Sequence, residues 1–187
     1  MIYPITVYGD LILRKKTPDI GADYEGLNQL VDDMFETMHN AEGVGIAAPQ
    51  IGLQVRVFVV DLSPLGNENP ELNDFKKAFI NAHIIEKDGE DELMDEGCLS
   101  IPGIREDVLR KDRIRIKYLD LDWNEHDEVY TGFPARVMQH EYDHLDGILF
   151  IDHCSPLKKR LLKGKLTDIS KGKVTTAYRI KIPKITK

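Results

Sequence analysis

Two cysteines, Cys98 and Cys154, are all that this chain of 187 residues contains, which leaves no disulfide framework to staple it. A free thiol, able to serve as a ligand, suits a reducing interior. No apolar run approaches the roughly 18 residues that mark a membrane-spanning helix. The opening Met1-Ile2-Tyr3-Pro4-Ile5-Thr6 lacks the basic region and apolar core of a secretory signal. These absences point to the cytoplasm and away from a membrane. Internal repeats are also lacking, and Gly66-Asn67-Glu68-Asn69-Pro70 reads as a polar loop rather than a domain linker.

What is present is the composition of an ordinary globular domain, 42% hydrophobic and 30% charged. A chain of this length buries about 70% of its unfolded surface, so residues 1–187 are expected to form a single catalytic domain with a basic extension from about residue 157. Charge is divided unevenly. Residues 157–187 hold eleven Lys and Arg against the single acid Asp168, a net +10, so the remainder carries −17. Such a tail either folds onto the acidic body and neutralises it or meets a polyanionic partner.

Apolar residues at Leu27, Leu30, Val31, Met34 and Met38 recur at helical spacing and predict an amphipathic helix over residues 25–41, stopping before Gly43. Val57-Phe58-Val59-Val60, within residues 53–62, reads as a buried strand, and residues 78–85 and 114–121 as further strands. A helix is expected to begin near Pro134, which is tolerated in a first turn, and to end at Asp146-Gly147. A short helix is expected over residues 157–163. Strands grouped around one helix predict an α+β fold, with antiparallel or mixed β-sheets around a central helix.

That central helix carries His140-Glu141-Tyr142-Asp143-His144. Residues four apart lie one turn above each other on the same face, so His140 and His144 can aim two imidazoles at one metal ion while Glu141 projects beside it. This is the HExxH arrangement of zinc hydrolases, in which the metal activates water and the glutamate handles protons. A catalytic site needs a third protein ligand. Metzincin proteases place a histidine six residues after the second one, but that position here is Phe150, which cannot bind a metal. Upstream, Cys98 in Glu96-Gly97-Cys98-Leu99-Ser100 would complete a Cys-His-His set with an open fourth position. A buried small hydrophobe is the equally weighted alternative for a free cysteine. A third segment, Gly43-Val44-Gly45-Ile46-Ala47-Ala48-Pro49-Gln50-Ile51-Gly52, reads as a small-residue loop leading into a strand.

Taken together and in this order, the three segments G-V-G-I-A-A-P-Q-I-G, E-G-C-L-S and Q-H-E-Y-D-H resemble the three signature motifs of the peptide deformylase family. The opening Tyr8-Gly9-Asp10-Leu11-Ile12-Leu13-Arg14 is similar to that family's start, and the resemblance spans roughly residues 5 to 155. It implies a hydrolase that removes the formyl group from the N-terminal formyl-methionine of nascent polypeptides. By the same resemblance Cys98, His140 and His144 hold the metal, with Fe²⁺ favoured and Zn²⁺ or Ni²⁺ as substitutes. Glu141 carries the proton, and the side chain of Gln50 and the backbone N–H of Leu99 form the oxyanion hole. Gly45 meets the substrate backbone, while Val44, Met94, Phe133 and Val137 line a pocket for the methionine side chain. Arg105 and Arg136 are either substrate contacts or surface charges. The basic extension is implied to dock on the ribosome. Two competing readings are a metalloendopeptidase, which the absent third histidine and E-G-C-L-S argue against, and a nascent-chain-binding protein without catalysis, which Glu141 and Gln50 argue against.

Overall fold

The computed structural model describes residues 1–183; Lys184 and Lys187 of the basic tail lie outside the described residues. The elements run β1 (Ile5–Thr6), α1 (Leu27–Asn40), β2 (Gly45–Ala47), β3 (Val57–Asp61), β4 (Lys76–Cys98), β5 (Ile101–Leu119), β6 (Glu125–Thr131), α2 (Gly132–Leu145), α3 (Pro156–Ser170) and β7 (Ile180–Lys181). Strands β2 to β6 form one antiparallel sheet in sequence order, and β1 pairs with β7 in parallel. The fold is therefore α+β with mixed strand pairing, as the strand and helix spacing predicts.

Helix α1 buries Leu27, Leu30, Val31, Met34 and Met38, the stripe that its sequence spacing marks. Helix α2 lies against the sheet, where Ala135, Met138 and Leu145 share a cluster with Phe58, Phe79 and Ile116. The Phe58 and Phe79 rings stack across β3 and β4 with centroids 4.6 Å apart. Pro134 sits in the first turn of α2. Gly147, at φ +74°, turns the chain away after it, and a Cβ there would lie 2.6 Å from the Arg14 backbone. The helix carrying the histidines is thus buried around most of its circumference, Ala135 to Gln139 and Asp143 to Leu145 included, and sharply stopped.

Three elements differ from expectation. The segments 78–85 and 114–121 belong to a far longer hairpin, β4 with β5, whose middle, Asp88–Glu92 opposite Arg110–Arg113, is wholly polar apart from Gly89. Its register shifts between Ile84 and Glu86 and between Asp88 and Asp91, which breaks the two-residue period that sequence reading depends on. Cross-strand charge pairs supply what apolar alternation does not: Lys111 lies 3.1 Å from Asp91, and Arg113 pairs with Asp88. Helix α3 runs on to Ser170 because Leu162, Leu166 and Ile169 bury a continuing stripe. The glycine-rich segment is not a loop: Gly45–Ala47 is an edge strand and Ala48–Ile51 a 3₁₀ turn.

Candidate active site

Helix α2 points His140 and His144 at the far end of the β4–β5 hairpin. Cys98 closes that end, pairing with Ile101 across the two-residue turn Leu99-Ser100. Cys98 Sγ lies 3.3 Å from His144 Nε2, and the donor atoms of Cys98, His140 and His144 all fall within 4.8 Å of one another. His140 Nδ1 is engaged by Glu96 Oε2 at 2.9 Å, which leaves Nε2 free to face an ion. One thiolate and two imidazoles around a single point suit Zn²⁺ or Fe²⁺ and leave one coordination position open. Burial disfavours the Cys98 thiolate, but the His144 and His140 rings outweigh it and bring the thiol down to about 5. The three residues that the sequence brings forward as ligands therefore do converge.

Glu96 does more than flank Cys98. Besides His140 it accepts Arg110 through both oxygens, Nε to Oε1 at 2.6 Å and Nη2 to Oε2 at 3.0 Å, and Arg136 Nη1 at 3.0 Å. Arg110 also donates to Asp143 at 2.7 Å, and Asp143 holds His153 Nε2 at 2.8 Å. All but His140 and His153 are buried. Burial works against the Glu96 anion, but His140 and Arg110 hold it well below the usual carboxylate range. This network is the support that sequence reading missed. One signal was available: Glu96 precedes Cys98 by two, and residues two apart on a strand share a face.

Glu141 is buried beside the cluster, and its Oε2 has no hydrogen-bond partner. Burial pushes its carboxyl up to about 7 against the pull of His140 and His144. Gly45 leaves the room it occupies: a Cβ there would lie 2.7 Å from Glu141 Oε1. Gln50 is buried too. Its Oε1 accepts the Ala47 N–H at 2.7 Å, while Nε2 faces Cys98 Sγ at 3.6 Å and Ser100 Oγ at 3.3 Å. One end of the amide thus braces the backbone and the other reaches the Cys98 sulfur.

A cleft of about 580 Å³ opens over these groups. Val44, Met94, Phe133 and Val137 line it, as do Gly45, Leu99 and Glu141. Arg136 is no surface charge. It is buried and donates to the carbonyls of Val108 at 2.8 Å and Glu92 at 2.6 Å. Arg105 is exposed and pairs with Asp95 at the cleft edge. His39, His83 and His126 pair with Asp61, Asp19 and Asp120, away from the cluster. Thr175, Thr176 and Tyr178 also line the cleft and have no counterpart in the sequence reading.

Ligand chemistry of this kind, with one open position and a carboxylate within reach, is that of metal-dependent hydrolases acting through an activated water. The sequence model of the polypeptide deformylase family matches residues 2–160. A peptide deformylase of Christiangramia forsetii is 52% identical over 98% of this chain and 97% of its own. The crystal structure of the Thermus thermophilus peptide deformylase superposes with a TM-score of 0.81 at 39% identity, covering 91% of this chain and 99% of that one. A Met-Ala-Ser-bound class I type b enzyme from Acinetobacter baumannii superposes at 0.74 and 38% identity, over 82% of this chain and 99% of its own. The chain belongs to the polypeptide deformylase family, hydrolases that remove the formyl group from N-terminal formyl-methionine and depend on a metal. No described helix is long and apolar enough to cross a membrane.

Proposed function

We propose that the chain deformylates nascent polypeptides with Cys98, His140 and His144 as metal ligands and Glu141 as the proton carrier. The observation that carries this reading is the buried Glu141 carboxylate, one oxygen unpartnered, beside a convergent Cys-His-His set at the floor of a cleft. An ion held there supplies a Lewis acid and a water activated at neutral pH. Glu141 takes the proton as the attacking water adds to the formyl carbon, then delivers it to the amine nitrogen as the C–N bond breaks. The Gln50 amide and the Leu99 N–H receive the formyl oxygen as it gains negative charge. Gly45 admits the Glu141 carboxylate and leaves the β2 edge open to an extended peptide. Val44, Met94, Phe133 and Val137 surround the methionine side chain.

Thiolate-plus-imidazole ligation accepts either Fe²⁺ or Zn²⁺; the reading takes Fe²⁺, with Zn²⁺ or Ni²⁺ as substitutes. Formate release from formyl-Met-Ala-Ser by protein prepared anaerobically with each ion tests both reaction and metal. Absence of formate with every ion rejects the reading. Residues 1–187 are taken as one catalytic unit with a basic extension, working in the cytoplasm.

For the extension, the reading is ribosome docking through the basic face of α3. Among the described residues, Lys158 with Glu106 is the one ion pair joining the tail's cations to the body. Arg160 and Lys163 instead line a second hollow of about 460 Å³ together with Arg14 and Lys159. Reversing Arg160 and Lys163 to Glu is expected to leave turnover of formyl-Met-Ala-Ser intact. Co-sedimentation with ribosomes at low salt should weaken, since contacts to phosphate are salt-dependent. Unchanged co-sedimentation rejects the docking surface.

A further inference from the structure

The family match ends at residue 160, yet the chain beyond α3 does not leave the body. Val174, Thr176, Tyr178 and Ile180 are half-buried, while Lys173, Thr175, Ala177 and Arg179 are exposed. That two-residue alternation is the signature of extended chain laid along a surface. The end of this arm is fastened where β7 pairs with β1. The Ile5 N–H donates to the Arg179 carbonyl at 2.8 Å, and the Val7 N–H to the Lys181 carbonyl at 3.1 Å. Between α3 and β7 the arm passes the cleft, which it lines with Thr175, Thr176 and Tyr178.

One contact joins the arm to the turn that follows Cys98. The Tyr178 hydroxyl donates to the Leu99 carbonyl at 2.8 Å. The next carbonyl, that of Ser100, accepts the Tyr8 N–H at 2.8 Å. Both carbonyls of the two-residue turn are thus held by donors from outside the β4–β5 hairpin. Burial and the Cys98 sulfur push the Tyr178 hydroxyl up to about 12, so it stays a donor throughout the neutral range.

We propose that Tyr178 is a positioning residue for the reaction, its phenol fixing the Leu99-Ser100 peptide and thereby the direction of the Leu99 N–H toward the formyl oxygen. The inference rests on the oxyanion role proposed for Leu99. A donor aids the developing charge only if it is already aimed when the charge appears. With its carbonyl released to water, Leu99 gains freedom about its own backbone torsions, and its N–H no longer holds one direction. A purely structural Tyr178, one that only docks the arm, would affect stability and leave the chemical step alone.

The test compares the parent, Tyr178→Phe and Gln50→Ala as full-length proteins loaded anaerobically with Fe²⁺, their metal content measured. Formate release from formyl-Met-Ala-Ser gives kcat and KM for each. Tyr178→Phe keeps the ring and its packing, so the fold is retained. Losing an oxyanion donor outright lowers the rate about 10²–10³-fold; loosening one is expected to lower kcat about tenfold, with KM and metal content unchanged. A kcat within twofold of the parent overturns the inference, whatever the melting temperature does. So does a raised KM at unchanged kcat, which makes Tyr178 a wall of the substrate cleft. If Gln50→Ala loses activity in that case, the oxyanion reading survives without Tyr178. If neither variant loses activity, that reading falls and takes the inference with it.

Discussion

Glu141→Gln is expected to lower kcat for deformylation by about 10²–10⁴-fold, the usual contribution of a positioned proton carrier. The substitution keeps the size and shape of the side chain and removes only its ability to accept and return a proton. Since the side chain is buried and Oε2 has no partner, the parent bears the burden of a desolvated carboxylate. The glutamine variant is therefore expected to melt no lower than the parent and to keep its metal. Activity and stability should part company, as they do when a site is built for chemistry at the expense of packing. KM should stay near the parent value, because an interaction used only in the transition state is the one removed. Metal content and a melting curve alongside kcat check the prediction. A variant that retains formate release within tenfold would remove Glu141 from the proton path.

The centre of the site was legible because its signals are local. His140, Glu141 and His144 lie within one helical turn, and the four-residue spacing survives whatever surrounds the helix. Gly45 and Cys98 were legible only as parts of a three-segment pattern, since a lone glycine or cysteine has an ordinary structural reading. The apolar stripe of α1 was visible because burial on one face writes a period into the sequence, and the run Val57–Val60 because burial on both faces writes an unbroken apolar stretch.

What escaped notice was polar or distant. The middle of the β4–β5 hairpin is held by pairs such as Lys111 with Asp91 and Arg113 with Asp88, partners about twenty or more residues apart that carry no periodicity. Arg136 looked like a pocket or surface charge because arginine is seldom buried, and only the fold reveals that Glu96 and two carbonyls receive it. The arm containing Tyr178 does alternate, as Val174, Thr176, Tyr178 and Ile180, but its lysines and arginine direct the reading to net charge, which offers a fold onto the acidic body or a polyanionic partner and no path past the cleft.

Glu96→Ala carries the largest expected effect on stability. It removes the one carboxylate that two buried guanidiniums share, leaving Arg110 with Asp143 and Arg136 with only the half-buried Glu92 at 4.0 Å. Breaking a buried ion pair from one side costs about 3–5 kcal/mol, because the charge left behind has lost both its partner and its water. For a protein of this size that corresponds to a fall in melting temperature of roughly 6–20 °C. The same change frees His140 Nδ1, whose hydrogen bond to Glu96 sets the ring's orientation toward the ion. Loss of such a partner weakens metal binding about 10–100-fold. The two effects separate experimentally: urea unfolding of the metal-free protein reads the ion network, and competition with a chelator reads the affinity. Glu96→Gln retains an acceptor for His140 and should recover part of the affinity while leaving the guanidiniums undercompensated. If the alanine variant unfolds within about 0.5 kcal/mol of the parent, the magnitude expected of an ordinary surface substitution, then the buried network is not what holds the β4–β5 hairpin onto α2.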